Sequence, residues 1–268
     1  MELTYISKKD MTASEALLNK GILWGEAPFT TTLIRKGKIT FEELHLERLK
    51  KTIEYLYPKS IETLDHIKLA MNQMANEFKE IDFAYMRVTL FESIDGSLEF
   101  FIWCMKRAVS SKALKLGLQI DSPSSVLPRF LKMADYSYKF RLRNELRKSG
   151  LDDCLFKNDK GELLDSSIAN AYFIKDKKVY VSKLIPGILE GTCRKKLLGF
   201  LESEGIEFSE EIILESELEN FDEVWLTNSF SGLQRVKEIN DIEYREDYYH
   251  EVVEKFIKYS GEIWPRKS

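Results

Sequence analysis

One amine, one carboxylate and two polar turns follow one another in an order that could hold an anionic carbonyl compound. Lys132 carries a primary amine, which condenses with carbonyl groups, and Gly150 follows it eighteen residues later. Asp165 contributes the carboxylate. The turns are Gly191 to Arg194 and Thr227 to Gly232. No piece is specific by itself, so the prediction depends on their combination.

Each turn has the chemistry of an anion site and also an ordinary explanation. Gly191 to Cys193 opens a predicted helix, and the first backbone N–H groups of a helix have no partner inside it. The same residues could simply be a helix start. Thr227 to Gly232 offers hydroxyls, amide donors and a glycine after a predicted strand. It predicts either a second phosphate cradle or a polar loop.

Two further groups leave alternatives open. Asp165 and Asn170 lie in a half-apolar stretch between turns, where a carboxylate is either a strand-end turn residue or a buried charge that needs a cationic partner. On the predicted helix Glu42 to Leu56, Arg48 shares a face with His45 and Thr52 beside the apolar stripe. Its planar fork could reach a phosphate, but periodicity alone favours a surface salt bridge. The stripe consists of Leu46, Leu49, Ile53 and Leu56.

Composition excludes several classes of protein. The 268 residues suffice for one large domain or two smaller ones. A formal charge of −4 argues against a nucleic-acid surface. The longest apolar runs, such as Phe100 to Met105, are too short to span a membrane, and the N-terminus has no signal-peptide pattern. Three scattered cysteines and three histidines predict a cytoplasmic protein without catalytic metal.

Helical and strand patterns alternate irregularly, which predicts an α+β fold in two domains, residues 1–110 and 114–268, with the boundary at Ser110 to Lys112. Three strand-like segments are predicted between the fourth helix and Val181. The other predicted strands are Phe29 to Arg35, Tyr85 to Phe91, Leu98 to Met105, Leu114 to Ile120 and Val224 to Thr227. The predicted helices are Thr12 to Asn19 (with Thr12 and Glu15 as a capping box), Glu42 to Leu56, Ile61 to Phe78, Ser137 to Ser149, Thr192 to Glu204 and Tyr248 to Tyr259.

These segments resemble the class IV pyridoxal-phosphate-dependent aminotransferases. That family includes branched-chain aminotransferases, D-amino-acid aminotransferases and 4-amino-4-deoxychorismate lyases. The resemblance implies a fold-type IV enzyme with a small N-terminal α/β domain and a larger, cofactor-binding C-terminal domain around a pseudo-barrel β core. It also implies a homodimer. The matching segments are His45 to Leu49, Lys132 to Gly150, Asp165 to Asn170, Gly191 to Arg194 and Asp222 to Ser229.

The resemblance also implies a role for each site residue toward pyridoxal 5′-phosphate (PLP). Lys132 would form the Schiff base and shuttle the substrate's Cα proton, and Asp165, with Asn170 in the same motif, would face the pyridinium nitrogen. Tyr136 would bond the cofactor's phenolic oxygen. The phosphate would be held by Arg48, Ser229 and the backbone of Thr192 and Cys193.

Lys139 is the rival for the Schiff-base lysine, but it is seven residues short of the family interval. Lys132 also lies in the apolar stretch Phe130 to Met133, where burial would lower the pKa of its amine. Two positions depart from the family pattern, since Asp165 replaces a glutamate and Cys193 replaces a threonine. Phe91-Glu92 stands where the D-amino-acid branch has Arg-Gly, which argues against that branch.

Three functions therefore remain. The leading one is transfer of an amino group between an amino acid and a 2-oxo acid. The second is 4-amino-4-deoxychorismate lyase activity, which Phe29-Thr30-Thr31, a lyase-like variant of Phe-Glu-Thr, favours. The third is a homologue that has lost turnover and only binds a ligand or partner. Substrate identity depends on loops such as Ser122 to Arg129, which resemble nothing specific.

Overall fold

The computed structural model describes residues 1–12, 17–121 and 127–261. Residues 13–16 in the middle of the predicted helix Thr12 to Asn19, which include Glu15 of its capping box, lie outside the described residues, as does most of the loop Ser122 to Arg129. The chain divides into two compact units. The first consists of Met1–Val109 and Phe130–Tyr136, and the second of Ser110–Arg129 and Ser137–Ser268.

An antiparallel five-stranded sheet forms the frame of the first unit, in the order β1-β5-β4-β2-β3. Lys36 and Gly37 adopt positive φ angles of 45° and 78° in the turn that joins β2 to β3. The strands are β1 (Glu2–Ile6), β2 (Phe29–Arg35), β3 (Lys38–Ile39), β4 (Ala84–Glu92) and β5 (Leu98–Lys106). The helices are α1 (Lys20–Trp24), α2 (Glu42–Leu56), the 3-10 turn Pro58–Ser60 and α3 (Thr63–Asn76).

The core of the first unit joins α2 and α3 to the sheet. Leu49 and Ile53, one turn apart on α2, are buried in one cluster with Met71 of α3 and Val88 of β4. Successive side chains of a strand point to opposite faces, so Tyr85, Arg87 and Thr89 alternate with the buried Met86, Val88 and Leu90. This alternation leaves polar side chains on the sheet face opposite the helices.

The second unit is built on a nine-stranded sheet in the order β11-β10-β9-β12-β13-β6-β7-β8, with β14 paired to β13. The pairs β10/β11, β13/β6 and β6/β7 are parallel, and the others are antiparallel. The strands are β6 (Leu114–Ile120), β7 (Asp153–Lys157), β8 (Leu163–Ser166), β9 (Asn170–Lys175), β10 (Lys178–Ser182), β11 (Phe208–Glu211), β12 (Glu223–Asn228), β13 (Gly232–Ile239) and β14 (Ile242–Glu243).

Three helices and one 3-10 turn accompany this sheet. Phe200 of α5 packs edge-on against Phe256 of α6, with ring centroids 5.4 Å apart. The elements are α4 (Ser137–Lys148), α5 (Thr192–Ser203), the turn Glu215–Asn220 and α6 (Asp247–Ser260).

The mixed helix and strand content confirms the predicted α+β class. Four strands, β7 to β10, stand where the sequence predicted three segments. The difference comes from a bend at residues 167–169, where Ser166 N donates to the Ala169 carbonyl at 2.9 Å and Ala169 N donates to Ser166 Oγ at 3.1 Å. These two bonds close a tight turn that separates β8 from β9, and Asp165 and Asn170 flank it.

Candidate functional site

Lys132 lies in a short segment whose backbone contacts the first residue of β2. The Phe29 N–H donates to the Lys132 carbonyl at 2.8 Å, and Pro28 and Met133 form an antiparallel bridge. Lys132 itself belongs to no strand, since Met133 forms only an isolated bridge. The prediction that Lys132 lies in a buried strand is therefore wrong. Its side chain is half-buried. The position of the amine therefore depends on long-range contacts with β2.

The Lys132 amine lies beside two aromatic rings. Its Nζ is 5.0 Å from the centroid of the Phe29 ring and 5.8 Å from that of Tyr136. The two rings meet edge to face, with centroids 5.5 Å apart and an interplanar angle of 75°. Cations within about 6 Å of a ring face are attracted to it. The structure thus brings the predicted Lys132 and Tyr136 together around Phe29.

Arg87 is a functional candidate that sequence reasoning missed. Its Cζ atom lies 3.7 Å from the centroid of the same Phe29 ring, and its Nε donates to Thr89 Oγ1 at 3.0 Å. Two cationic side chains therefore share one ring, which favours binding of an anionic group such as a carboxylate. The signal that could have found it is an arginine that alternates with Tyr85 and Thr89 inside an otherwise apolar strand.

Arg48 is buried, with 7% of its surface exposed, so the surface salt bridge that periodicity favoured is wrong. The Thr52 hydroxyl donates to the Arg48 carbonyl at 2.8 Å and shares its helix face. His45, one turn earlier, is completely buried. Burial, followed by the charges of Arg48 and Lys132, holds the pKa of His45 well below its usual value. This imidazole is therefore neutral at physiological pH.

Asp165 is a buried carboxylate with two unequal oxygens. Oδ2 accepts from Asn170 Nδ2 at 2.8 Å and from the Leu189 N–H at 2.9 Å. Oδ1 is buried and has no hydrogen-bond partner among the described residues. Burial raises the pKa of Asp165 to about 6, while the Leu189 N–H and the Asn170 amide oppose the rise. The sequence left open whether this carboxylate is buried, and the structure shows that it is.

Gly191 lets the start of α5 approach Asn170. A β-carbon at residue 191 would lie 2.0 Å from Asn170 Oδ1, closer than any real contact. The first main-chain bond of α5 runs from Lys195 N to the Gly191 carbonyl. The N–H groups of Thr192, Cys193 and Arg194 therefore have no partner within the helix. They lie beside the residue that orients Asp165.

The side chain of Cys193 points into the protein. It is 1% exposed, and its thiol contacts the Thr227 hydroxyl, which lies 3.0 Å from the Tyr172 hydroxyl. Burial raises the pKa of this thiol to about 12. Thr227 pairs with Asn170 between β12 and β9. These contacts place the end of β12 next to the start of α5, so only the backbone of Cys193 is available to a ligand.

The turn after β12 is closed by its own asparagine. Asn228 Oδ1 accepts from the N–H groups of Phe230 and Ser231 at 3.0 and 2.7 Å. This Asx turn holds the buried Ser229 at the end of the strand. This turn and the start of α5 both lie near Asn170, which pairs with Thr227.

The rival lysine has other partners. Lys139 Nζ lies 4.0 Å from Asp121 Oδ2 and 5.1 Å from the centroid of the Phe156 ring. It belongs to α4 of the second unit, whereas Lys132 and Tyr136 belong to the first. Its charge contributes weakly to lowering the pKa of Asp165.

Residues 1–12, 17–121 and 127–261 contain no group of three or more His, Cys, Asp or Glu side chains that could hold a metal ion. No helix within the described part of the chain is long and apolar enough to cross a membrane.

Comparisons with known proteins identify the family and the fold of this chain. The family model for class IV aminotransferases matches residues 27–239. An aminodeoxychorismate lyase from Vibrio harveyi is 22% identical over 253 residues, which cover 86% of this chain and 89% of that protein. A probable branched-chain-amino-acid aminotransferase from Rickettsia felis is 24% identical over 217 residues, with 76% and 74% covered. The branched-chain amino acid aminotransferase of Escherichia coli superposes with a TM-score of 0.81 at 16% identity, and 95% and 93% of the chains are covered.

The superposition confirms the predicted fold-type IV architecture, and the family match covers most of the chain, from two residues before β2 to the end of β13. Members of this family are PLP-dependent enzymes. The chain belongs to the class IV aminotransferase family.

Proposed function

We propose that this chain is an aminotransferase that binds PLP through Lys132 and moves an amino group from an amino acid to a 2-oxo acid. Membership of a PLP-dependent family supports the cofactor. The observation that carries the proposal is the Asp165 carboxylate, because it is buried, one oxygen is held by two N–H groups and the other has no partner among the described residues.

The residues of the second unit fit PLP. Asp165 Oδ1 is an acceptor that a protonated ring nitrogen would satisfy, and such a cation would stabilise the carboxylate against the burial that raises its pKa. Aspartate is one carbon shorter than the family's glutamate. Here Asn170 and Leu189 hold it firmly, so its reach is set by the strand rather than by a flexible side chain.

Four residues are proposed to bind the phosphate. Arg48 supplies a planar fork suited to phosphate oxygens, and Thr192 and Cys193 supply the N–H groups at the start of α5. Ser229 supplies the polar end of β12. Tyr136 would bond the cofactor's phenolic oxygen, in keeping with its position beside the Lys132 amine.

When bound, PLP supplies a ring that accepts the electron pair left at the substrate's Cα. Lys132 Nζ is the group proposed to take the Cα proton and to return it. Phe29 and Tyr136 restrict the directions from which that amine can be approached. Arg87, on the same Phe29 ring, is proposed to bind the substrate's carboxylate. The hydrogen bond from Asn170 is proposed to keep Asp165 in one orientation throughout the reaction.

Three further features are proposed from the family resemblance. Residues 1–110 and 114–268 would form a small domain and a larger cofactor-binding domain, the protein would be a homodimer, and it would act in the cytoplasm. The three described cysteines are free and buried, which suits a reducing compartment. Light scattering of the purified protein tests the dimer, which a monomeric mass would exclude.

Borohydride labelling tests the proposed function. The purified protein incubated with PLP should be yellow, and reduction should bleach it and leave a phosphopyridoxyl group on the peptide that contains Lys132. Lys132→Ala should abolish the labelling, whereas the matched variant Lys139→Ala should retain it. A wild-type protein that binds no PLP, or a label on another lysine, would overturn the proposal.

A half-reaction then separates transfer from elimination. Adding single amino acids to the yellow protein should convert the bound cofactor to its pyridoxamine form, with release of the matching 2-oxo acid, if the protein is an aminotransferase. A panel of amino donors would identify the substrate class.

Aminodeoxychorismate lyase is the second candidate. Thr30 stands in the lyase-like Phe29-Thr30-Thr31 segment and bonds His45 at 2.6 Å, and the Vibrio harveyi relative carries that name. Release of pyruvate and an aromatic amine from aminodeoxychorismate, without formation of the pyridoxamine form, would favour this reaction over transfer.

A further inference from the structure

One ring nitrogen of His45 has a hydrogen-bond partner among the described residues, and the other has none. Its Nδ1 lies 2.6 Å from Thr30 Oγ1, whereas Nε2 is buried and has no hydrogen-bond partner among the described residues. The residue itself is 0% exposed. Buried polar atoms are nearly always hydrogen-bonded, and an exception calls for an explanation.

The hydroxyl of Thr30 indicates which nitrogen carries the proton. Thr30 is also 0% exposed, and His45 is its only side-chain partner in the described part of the chain. If Nδ1 were protonated, the ring would donate to Oγ1 and the hydroxyl proton would have no acceptor. If Nε2 is protonated, the hydroxyl donates to Nδ1 and both groups are satisfied. The second tautomer is therefore favoured, so Nε2 is a donor.

The neighbouring charges indicate what this donor would bind. Arg48 and Lys132 both lie close enough to disfavour protonation of His45. Arginine has no acceptor, and neither has a protonated lysine, so neither can satisfy Nε2–H. Arg48 is three residues after His45 on α2, and residues at that spacing share a helix face. Donors grouped beside cations are complementary to an anion with several oxygens.

We propose that the Nε2–H group of His45 donates a hydrogen bond to the phosphate of the cofactor, next to Arg48, and that Thr30 holds the ring in the tautomer this requires. The inference rests on the proposed function, because it presupposes that PLP binds. It assigns His45 a binding role and Thr30 a positioning role.

Two substitutions at position 45 separate the ring nitrogens. Asparagine can keep the contact of Nδ1 with Thr30 but has no group at the place of Nε2. Glutamine is longer, and its amide can place an N–H donor there. The probes are PLP and pyridoxal, which lacks the phosphate, and both are followed by the absorbance change on binding.

His45→Asn should raise the dissociation constant of PLP by about 10- to 100-fold, as expected for loss of a hydrogen bond to a charged group. Its dissociation constant for pyridoxal should stay within about 2-fold of the wild type, since no phosphate contact is involved. His45→Gln should recover most of the affinity for PLP. Equal weakening toward both probes would indicate a purely structural role and overturn the inference, as would an unchanged preference for PLP.

A second measurement uses the unmodified protein. With histidine labelled by 15N, His45 should show a protonated Nε2 whose resonance shifts on addition of PLP but not of pyridoxal. A protonated Nδ1, or the same response to both probes, would contradict the proposal even if the variants fail to fold. A wild-type protein that binds no PLP would overturn the proposed function itself, and this inference with it.

Discussion

Asn170 Oδ1 lies 2.0 Å from the point that a β-carbon on residue 191 would occupy. The Nδ2 atom of the same amide donates to Asp165 Oδ2 at 2.8 Å and to the Leu189 carbonyl at 2.7 Å. The absence of a side chain at Gly191 thus allows Asn170 to orient Asp165 while α5 begins beside it. The backbone of Gly191, at φ −66° and ψ 143°, is accessible to any residue, so only the contact requires glycine.

Gly191→Ala should therefore destabilise the protein. Overpacking of this kind costs about 1–3 kcal/mol, and displacement of the Asn170 amide should also weaken PLP binding. The free energy of unfolding in urea measures the first effect and absorbance titration the second. Gly199→Ala, further along α5, is the matched control, because its β-carbon would meet only the Tyr259 hydroxyl at 3.4 Å. It should be neutral or stabilise the helix by about 0.5–1 kcal/mol. Equal stability of the two variants would contradict the conclusion that the contact with Asn170 requires glycine at position 191.

Asp165→Asn should stabilise the cofactor-free protein at neutral pH. The carboxyl has a pKa of about 6 in the folded chain against a usual value of 3.8. The folded state therefore holds the proton more tightly than the unfolded state, and the wild type loses stability as the pH rises between those two values. Above the folded pKa the loss is complete. It amounts to on the order of 3 kcal/mol, since a pKa difference of one corresponds to about 1.36 kcal/mol.

Urea unfolding at several pH values between about 3 and 8, a range that brackets both pKa values, checks this expectation. The stability advantage of the variant should grow through the window and then level off. Asp95→Asn is the control of opposite sign, because hydrogen bonds from Ser97 hold the pKa of Asp95 below its usual value. A difference in unfolding free energy between wild type and Asp165→Asn that does not change with pH would show that the pKa of the Asp165 carboxyl is not raised.

Arg87→Gln should weaken substrate binding more than cofactor binding. Loss of a charged fork from a carboxylate costs about 10- to 100-fold in affinity, so KM for the amino acid should rise by that factor. The absorbance of bound PLP should be unchanged. Arg107→Gln, which removes an exposed arginine 5.5 Å from the Tyr85 ring, is the control. An unchanged KM would remove Arg87 from the site.

The native cysteines should not react with thiol reagents. Cys104, Cys154 and Cys193 are all buried, and burial raises the pKa of each thiol to about 12. At pH 8 only about one thiol in ten thousand would be ionised. Ellman's reagent should therefore detect three thiols in guanidinium and none in the native protein within minutes. Lys148→Cys, at an exposed position of α4, should add one fast-reacting thiol, and rapid labelling of the wild type would refute the burial.

The sequence predicted the long amphipathic elements well. The helix Glu42–Leu56 has both predicted ends, and Thr192 begins its helix as predicted, because the apolar residues repeat with the helical period over several turns. The strands β1, β3, β11, β13 and β14 were missed. The β1 register joins Glu2 to Met105, and the exposed β11 pairs in parallel with β10, so neither has a local pattern that could reveal it.

The site was harder to predict than the fold because its properties depend on distant contacts. Periodicity assigned Arg48 to the surface, yet the structure buries it. The apolar residues around Lys132 suggested a buried strand. In the structure Lys132 is half-buried, and its carbonyl accepts a hydrogen bond from the Phe29 N–H. The orientation of Asp165 depends on the Leu189 backbone, twenty-four residues later. The roles proposed for the site residues stay predictions until the experiments are done.

The attachment of Phe130–Tyr136 to the first unit has a consequence for how such a chain can be divided or recombined. A fragment that stops near residue 110 would contain Phe29 but not the carbonyl that receives its N–H. A chimera of related enzymes with a single junction near residue 110 would inherit Phe29 from one parent and Lys132 from the other. Phe29 and Lys132 must therefore be exchanged as a pair, although about a hundred residues separate them along the chain.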